Sequence, residues 1–154
     1  MTDRFGYGQP RAFACVVRSV GEAPELLVFQ HPWEGVQIPK GRVDAGESPV
    51  DAACRELEEE SGLWMRNPRH IGTIDRRFPH PDTGKEIEET WHCFGFDSSG
   101  DLPNRWTHHA VEEDMDFVYF WLPIDGHLGS RIHSYFVEVT DLIEQMFGHT
   151  SLSG

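Results

Sequence analysis

Four glutamates stand within five positions of the chain, Glu56, Glu58, Glu59 and Glu60, directly after Arg55. The surrounding stretch 41–63 holds seven acids against two arginines. On a helix turning ~100° per residue, Glu56, Glu59 and Glu60 share one arc about 100° wide, and Glu58 falls outside it. Three like charges on one arc repel and raise one another's pKa, so the arrangement opposes folding unless a countercharge is present. A divalent cation supplies one. Magnesium takes oxygen ligands and keeps several waters, so phosphate oxygens can complete its octahedron. Held there, it can neutralise phosphate charge, acidify a water and orient it for in-line attack on phosphorus, while a nearby Glu takes the proton.

Such carboxylates need a helix to carry them, and the residues before them provide its start. In Ser48-Pro49-Val50-Asp51, Ser48 can cap, Pro49 suits the first helical position, and Asp51 sits where a capping-box acid could reach back. The helix can run to Ser61, with Gly62 as a permissive C-terminal cap. Val50, Ala53, Cys54 and Leu57 then share an apolar arc of about 100° beside the acidic one, so one face docks and its neighbour gathers carboxylates. A charge run of this kind is most often a solvated helix face. The order of the residues around it argues otherwise.

From Gly41 to Leu63 the chain reads Gly-Arg-Val-Asp-Ala-Gly-Glu-Ser-Pro-Val-Asp-Ala-Ala-Cys-Arg-Glu-Leu-Glu-Glu-Glu-Ser-Gly-Leu. This resembles the Nudix box at Gly41, Glu47, Arg55, Glu56, Leu57, Glu59, Glu60, Gly62 and Leu63, nine defining positions in 23 residues. The resemblance implies a Nudix hydrolase, which uses Mg2+, or Mn2+ in its place, and water to cut a phosphoanhydride bond in a nucleoside diphosphate-linked compound. It implies that Glu56, Glu59 and Glu60 bind metal and supply the base, with Glu59 and Glu56 ranked together for that role, and that the Lys40 carbonyl is a backbone ligand. Glu47 and Arg55 are implied as a pair fixing the loop against the helix, a support that metal geometry needs. Family members commonly add a carboxylate from a loop before a late strand, and Glu113, beside Glu112, stands in that place. Ile38-Pro39-Lys40-Gly41-Arg42 also resembles the entry seen in members acting on dinucleoside polyphosphates. Nucleotide sugars, ADP-ribose and nucleoside triphosphates remain open as substrates. A non-catalytic nucleotide sensor and an RNA 5′-end pyrophosphohydrolase are the alternatives.

Lys40 and Arg42 flank the box glycine and are candidates for phosphate contact, whereas Arg76, Arg77 and Lys85 read as surface cations. Trp33, Phe78, Trp91 and Trp106 are the aromatics placed to stack on a base, Phe78 foremost, although core packing is the commoner fate of such residues. Nine histidines show no zinc-ligand spacing, and no nucleophile motif suggests a covalent intermediate.

The remaining elements read as strands and one further helix. Ala12 to Arg18 and Glu25 to Gln30 form a hairpin. Arg69 to Phe78 and Glu86 to Phe96 form a second pair across the turn 79–84. Phe117 to Leu122, continuously apolar, suits a strand covered on both faces. Ile132, Tyr135, Phe136, Val139, Leu142, Ile143, Met146 and Phe147 repeat at helical spacing up to Gly148. The order predicts an α/β (α+β) protein, a mixed β-sheet between helices, which agrees with the Nudix-like α/β/α sandwich that the resemblance implies. One domain over 11–148 is expected, with a flexible arm at 1–10 and a tail at 149–154.

The 154 residues, 38% hydrophobic with five Trp, ten Phe and three Tyr, are enough for a core. A net charge of −13 disfavours a nucleic-acid partner or an anionic membrane surface. Cys15, Cys54 and Cys93 lack paired spacing and read as reduced core residues. With no leader-like start and no long apolar run, the expectation is a cytoplasmic protein acting on a small nucleotide, as a monomer or homodimer.

Overall fold

The computed structural model describes residues 6–21, 23–98 and 101–148; the expected tail at 149–154 and the first half of the arm lie outside them. The elements run β1 (Arg11–Val20), β2 (Ala23–His31), β3 (Gly35–Gln37), β4 (Lys40–Arg42), α1 (Pro49–Ser61), β5 (Arg69–Pro79), β6 (Glu86–Asp97), β7 (Trp106–Ala110) and β8 (Met115–Pro123). Two 3-10 turns, Leu128–Arg131 and Ser134–Phe136, lead into α2 (Val137–Phe147).

One sheet runs β5-β6-β1-β2-β8-β7, with β3 on β2 and β4 on β1. It is mixed, because β1 and β6 are parallel while every other pair is antiparallel. Strands β1 and β2 pair only where Val17 to Val20 meet Leu26 to Ala23. Beyond that they part. The freed edge of β1, Arg11 to Phe13, takes β4, and the freed edge of β2, Phe29 to His31, takes β3. A bond from Ala14 N–H to Pro39 O (2.9 Å) ties the short β3–β4 link into this fork.

Alternation along the strands sorts side chains to two faces. Ala12, Ala14, Val16, Leu27, Phe29, Phe94, Phe117, Tyr119 and Trp121 pack with Ala53, Cys54 and Leu57 of α1. Phe13, Cys15, Val17, Leu26, Val28, Trp91 and Cys93 pack with Ile132, Phe136, Val139 and Ile143 on the α2 side. The expected α/β/α sandwich is therefore the observed one. Strand β8 is covered on both faces, since Phe120 and Leu122 join the α2 side. All three cysteines are free and buried. No helix among the described residues is long and apolar enough to cross a membrane.

Three features differ from the sequence reading. The last helix starts at Val137, not Ile132: Ile132 is extended (φ −121, ψ 150), and the His133 Nδ1 accepts the Tyr135 N–H to make a local turn. Burial of Ile132 and Phe136 in the same cluster as α2 mimics one helical stripe. Strands β3, β4 and β7 have no counterpart in the sequence pattern, because three to five residues containing Gly or His give no readable period. Within the expected arm, Tyr7 packs edge-on against Phe78 (6.0 Å between rings) and the Gly8 N–H donates to Glu89 Oε2 (3.0 Å).

Helix α1 begins as its sequence requires. The Ser48 hydroxyl accepts the Asp51 N–H (3.2 Å), Pro49 opens the first turn, and Gly62 closes it in the left-handed region (φ 83) with its N–H on Glu58 O. Ser48→Ala should therefore lower unfolding free energy by about 1 kcal/mol in urea titration, while Ser48→Asp should retain it.

Candidate functional site

The loop after β4 and the acidic face of α1 meet around one guanidinium. Arg55 Nε and Nη2 donate to the two oxygens of Glu47 (2.9 and 3.0 Å). Its Nη1 donates to Glu56 Oε1 (2.8 Å) and Glu59 Oε2 (3.3 Å), and Nη2 also reaches the Arg42 carbonyl (2.9 Å). This bidentate grip is the expected Glu47–Arg55 pair. The Asp44 N–H adds a bond to Glu47 Oε1 (3.0 Å), which folds the loop onto its own acid. The Arg55 hydrogen bonds hold the Glu47 carboxyl below its ordinary range.

Glycine at 41 is a packing requirement. A Cβ there would overlap the Glu56 carboxylate, so only a bare backbone lets β4 lie against this acid. Glu60, on the next turn, accepts the Lys40 N–H through Oε1 (3.0 Å). Both carboxylates are buried, at 8% exposure each. Burial pushes Glu56 up to about 7, against the pull of Arg55 and with the charges of Glu59 and Glu113 adding to it. Burial, then the Glu56 charge, drives Glu60 well up, opposed by Lys40. Glu59, more open to solvent, is also raised by partial burial, with Glu112 contributing after the opposing Arg55.

Glu56, Glu59 and Glu112 each place a carboxylate oxygen within 4.8 Å of the others. Glu112 comes from the turn between β7 and β8, closed by Asp114 N–H on Val111 O (3.2 Å) with Asp114 at φ 53. Oxygen-only donors at this spacing suit a hard divalent cation, and the raised pKa values of Glu56 and Glu59 show what one would relieve. Glu113 and Glu60, both expected as ligands, are beside this group and act on it through their charge. The turn geometry that brings Glu112 within this spacing of Glu56 and Glu59 has no signature in a run of adjacent acids.

Other expected residues are divided by the fold. The Lys40 ammonium sits over the Tyr135 ring (5.4 Å), its pKa lowered by burial and then by Arg11. The Arg42 side chain packs against Gly6, while Phe78 meets Tyr7. Trp91 is fully buried. Trp106 stacks on Tyr119 (5.2 Å between rings, 11°), and its indole N–H donates to Ser61 O (3.1 Å). The His108 Nε2 reaches Glu59 O (3.2 Å), so β7 caps the carbonyl end of α1. Trp33 is 75% exposed in the β2–β3 turn, where the His31 Nδ1 accepts its N–H. Arg76 is no free surface cation: it pairs with Glu138 (3.2 Å) and lies over Trp91.

The fold and this acidic helix are matched by the model of the NUDIX domain over residues 8–138. The chain belongs to the Nudix hydrolase family. It is 33% identical over 73 residues to the NAD-capped RNA hydrolase NudC of Vibrio parahaemolyticus, a match covering 46% of this chain and 28% of that protein. The chain thus matches less than a third of that relative's length. Among solved structures, the C. elegans Ap4A hydrolase is similar with a TM-score of 0.58 at 19% identity, over 90% of this chain and 95% of that one. The NUDIX domain of Shewanella oneidensis NrtR, complexed with ADP ribose, is similar with a TM-score of 0.65 at 14% identity, over 90% and 87%.

The raised carboxyls have a consequence for stability. Glu56 moves from 4.5 to about 7 on folding, so between those values the native state binds more protons than the unfolded chain, and stability falls as pH rises through the window. The loss is of order 3 kcal/mol for this one group. With a chelator present, the melting temperature should drop between pH 5 and pH 8, and excess Mg2+ should remove most of that slope. A slope indifferent to Mg2+ or Mn2+ would show that the acids gather no cation.

Proposed function

We propose that the protein is a Mg2+-dependent pyrophosphohydrolase acting on nucleoside diphosphate-linked compounds, by direct attack of water on phosphorus. The observation that carries this reading is the convergence of Glu56, Glu59 and Glu112 on one point beside the fixed Arg55. Glu56, Glu59 and Glu112 are the proposed cation ligands, with Glu60, Glu113 and the Lys40 carbonyl as further donors. Mg2+ held there would neutralise phosphate charge and acidify the attacking water, and Mn2+ can replace it.

The protein's own groups divide the work. Glu59 is the proposed general base, because its open carboxylate can meet a water while Arg55 fixes its direction. Glu56, buried and held by the same guanidinium, is the rival for that role. Water oxygen bonds to one phosphorus, the bridging P–O bond breaks, the proton passes to the Glu, and the departing phosphate keeps the bridging oxygen. Arg55 and Glu47 keep loop and helix in register during this exchange. Lys40 and Arg42 are proposed to contact phosphate, and Phe78 to contact the nucleoside.

For the substrate, a small nucleotide fits the chain better than a long RNA, given the −13 charge. Ap4A and ADP-ribose lead the panel because similar folds carry those names. An NAD cap offers the same pyrophosphate bridge and stands next, on the NudC likeness. The site lies among the described residues, and cytoplasmic action is proposed with it.

The test is a panel of dinucleoside polyphosphates, ADP-ribose, nucleotide sugars, NAD and nucleoside triphosphates, assayed with Mg2+ and with Mn2+ in 18O-water. Phosphate or mononucleotide carrying 18O should appear, and Glu59→Gln should reduce kcat by about 10²–10⁴-fold with the fold intact. Ligand binding without turnover, unchanged in Glu59→Gln, would make the protein a nucleotide sensor instead.

A further inference from the structure

Tyr119 lies in the middle of β8, fully buried, and its hydroxyl has no hydrogen-bond partner among the described residues. It is the one side-chain polar atom among them in that state. Its ring is clamped by Trp106, stacked at 5.2 Å, and by Phe29, also at 5.2 Å. Trp106 in turn donates to the carbonyl of Ser61, the residue after Glu60, so the aromatic stack that holds Tyr119 abuts the last turn of α1. Glu60 is buried on that same turn, and among the described residues its carboxylate accepts one bond, from the Lys40 N–H to Oε1.

A hydroxyl removed from water without a partner costs about what a lost hydrogen bond costs. Phenylalanine would fill the same aromatic slot without that cost, so the packing does not explain the oxygen. The charges of Glu60 and Glu113 both act on the Tyr119 phenol, in that order after burial, so the acidic site is near enough for its field to reach the hydroxyl. Burial keeps the phenol protonated, and so a donor. The nearby groups best able to accept from it are those carboxylates.

We propose that Tyr119 is a positioning residue of the acidic site: its hydroxyl donates across one water to the Glu60 carboxylate and holds it aimed at the cation position. The inference rests on the metal-binding reading above and extends it to a residue that touches neither substrate nor the reacting atoms. Outer partners of this kind commonly matter 10–100-fold for metal affinity.

The experiment measures Mn2+ binding to the whole chain by titration calorimetry, together with the melting temperature and the kcat and KM of the best substrate found. Tyr119→Phe should weaken Mn2+ binding by about 10-fold and lower kcat with little change in KM, while the melting temperature changes little because phenylalanine fills the same aromatic slot. In a Glu60→Gln background the same change should alter Mn2+ affinity less than about twofold, since the two act as one unit. Phe29→Leu, which disturbs the same aromatic packing and leaves the hydroxyl, should keep Mn2+ affinity. Undiminished Mn2+ affinity in Tyr119→Phe, equal losses in both backgrounds, or a comparable loss in Phe29→Leu would each overturn the assignment. Absence of Mn2+ binding in the unmodified protein would instead overturn the metal-binding reading itself, and this inference with it.

Discussion

Carboxylates crowded at one end of a helix repel, and most of what surrounds α1 answers that repulsion. Two unit charges 4.8 Å apart, the limit that bounds Glu56, Glu59 and Glu112, cost roughly 3–4 kcal/mol at an effective dielectric of ~20. Arg55 is the cation placed within bonding distance of Glu47, Glu56 and Glu59 together. It cannot satisfy every pair, and the repulsion adds to burial, the larger cause, in raising the pKa of Glu56 and Glu60. A site left with surplus negative charge is what a cation and a phosphate chain together can balance.

The helix end makes the strain larger. A C-terminus carries partial negative charge, where cations are favoured and acids are not. Yet the last turn of α1 has no basic residue and three glutamates precede Ser61. Other donors take the role that lysine or arginine commonly fills: the Trp106 indole and the His108 ring from β7, and the Gly62 N–H. The indole and the Gly62 N–H satisfy carbonyls without adding a positive charge that would compete with a metal. Strand β7, only five residues long, is thereby both the sheet edge and the cap of the functional helix.

The fork between β1 and β2 sets the distances. If those strands stayed paired along their length, β4 would have no edge to occupy, and Gly41 could not lie against Glu56. The two cores flanking the sheet hold the fork open: α1 seals one face through Ala53, Cys54 and Leu57, and α2 seals the other through Val139 and Ile143. Close packing on both faces leaves little freedom for the loop that Arg55 pins.

Local rules acting over a few residues made α1 legible in advance. The Ser48 cap, the Pro49 start, the Gly62 stop and the shared arc of Glu56, Glu59 and Glu60 depend only on helical spacing, and the Glu47–Arg55 pair lies close along the chain. The hairpins and the two-sided cover of β8 also followed from period and turn residues. Tertiary structure alone decided that Glu112 joins the group while Glu113 acts from beside it, because a four-residue turn with Asp114 at positive φ sets their directions. It alone brought Tyr119 within reach of the Glu60 charge, paired β1 in parallel with β6, and broke the stripe from Ile132 to Phe147 into 3-10 turns before a shorter helix. Sequence spacing fixes which side chains share one face of one element. Which faces meet depends on packing between residues far apart in the chain, and no local period encodes it.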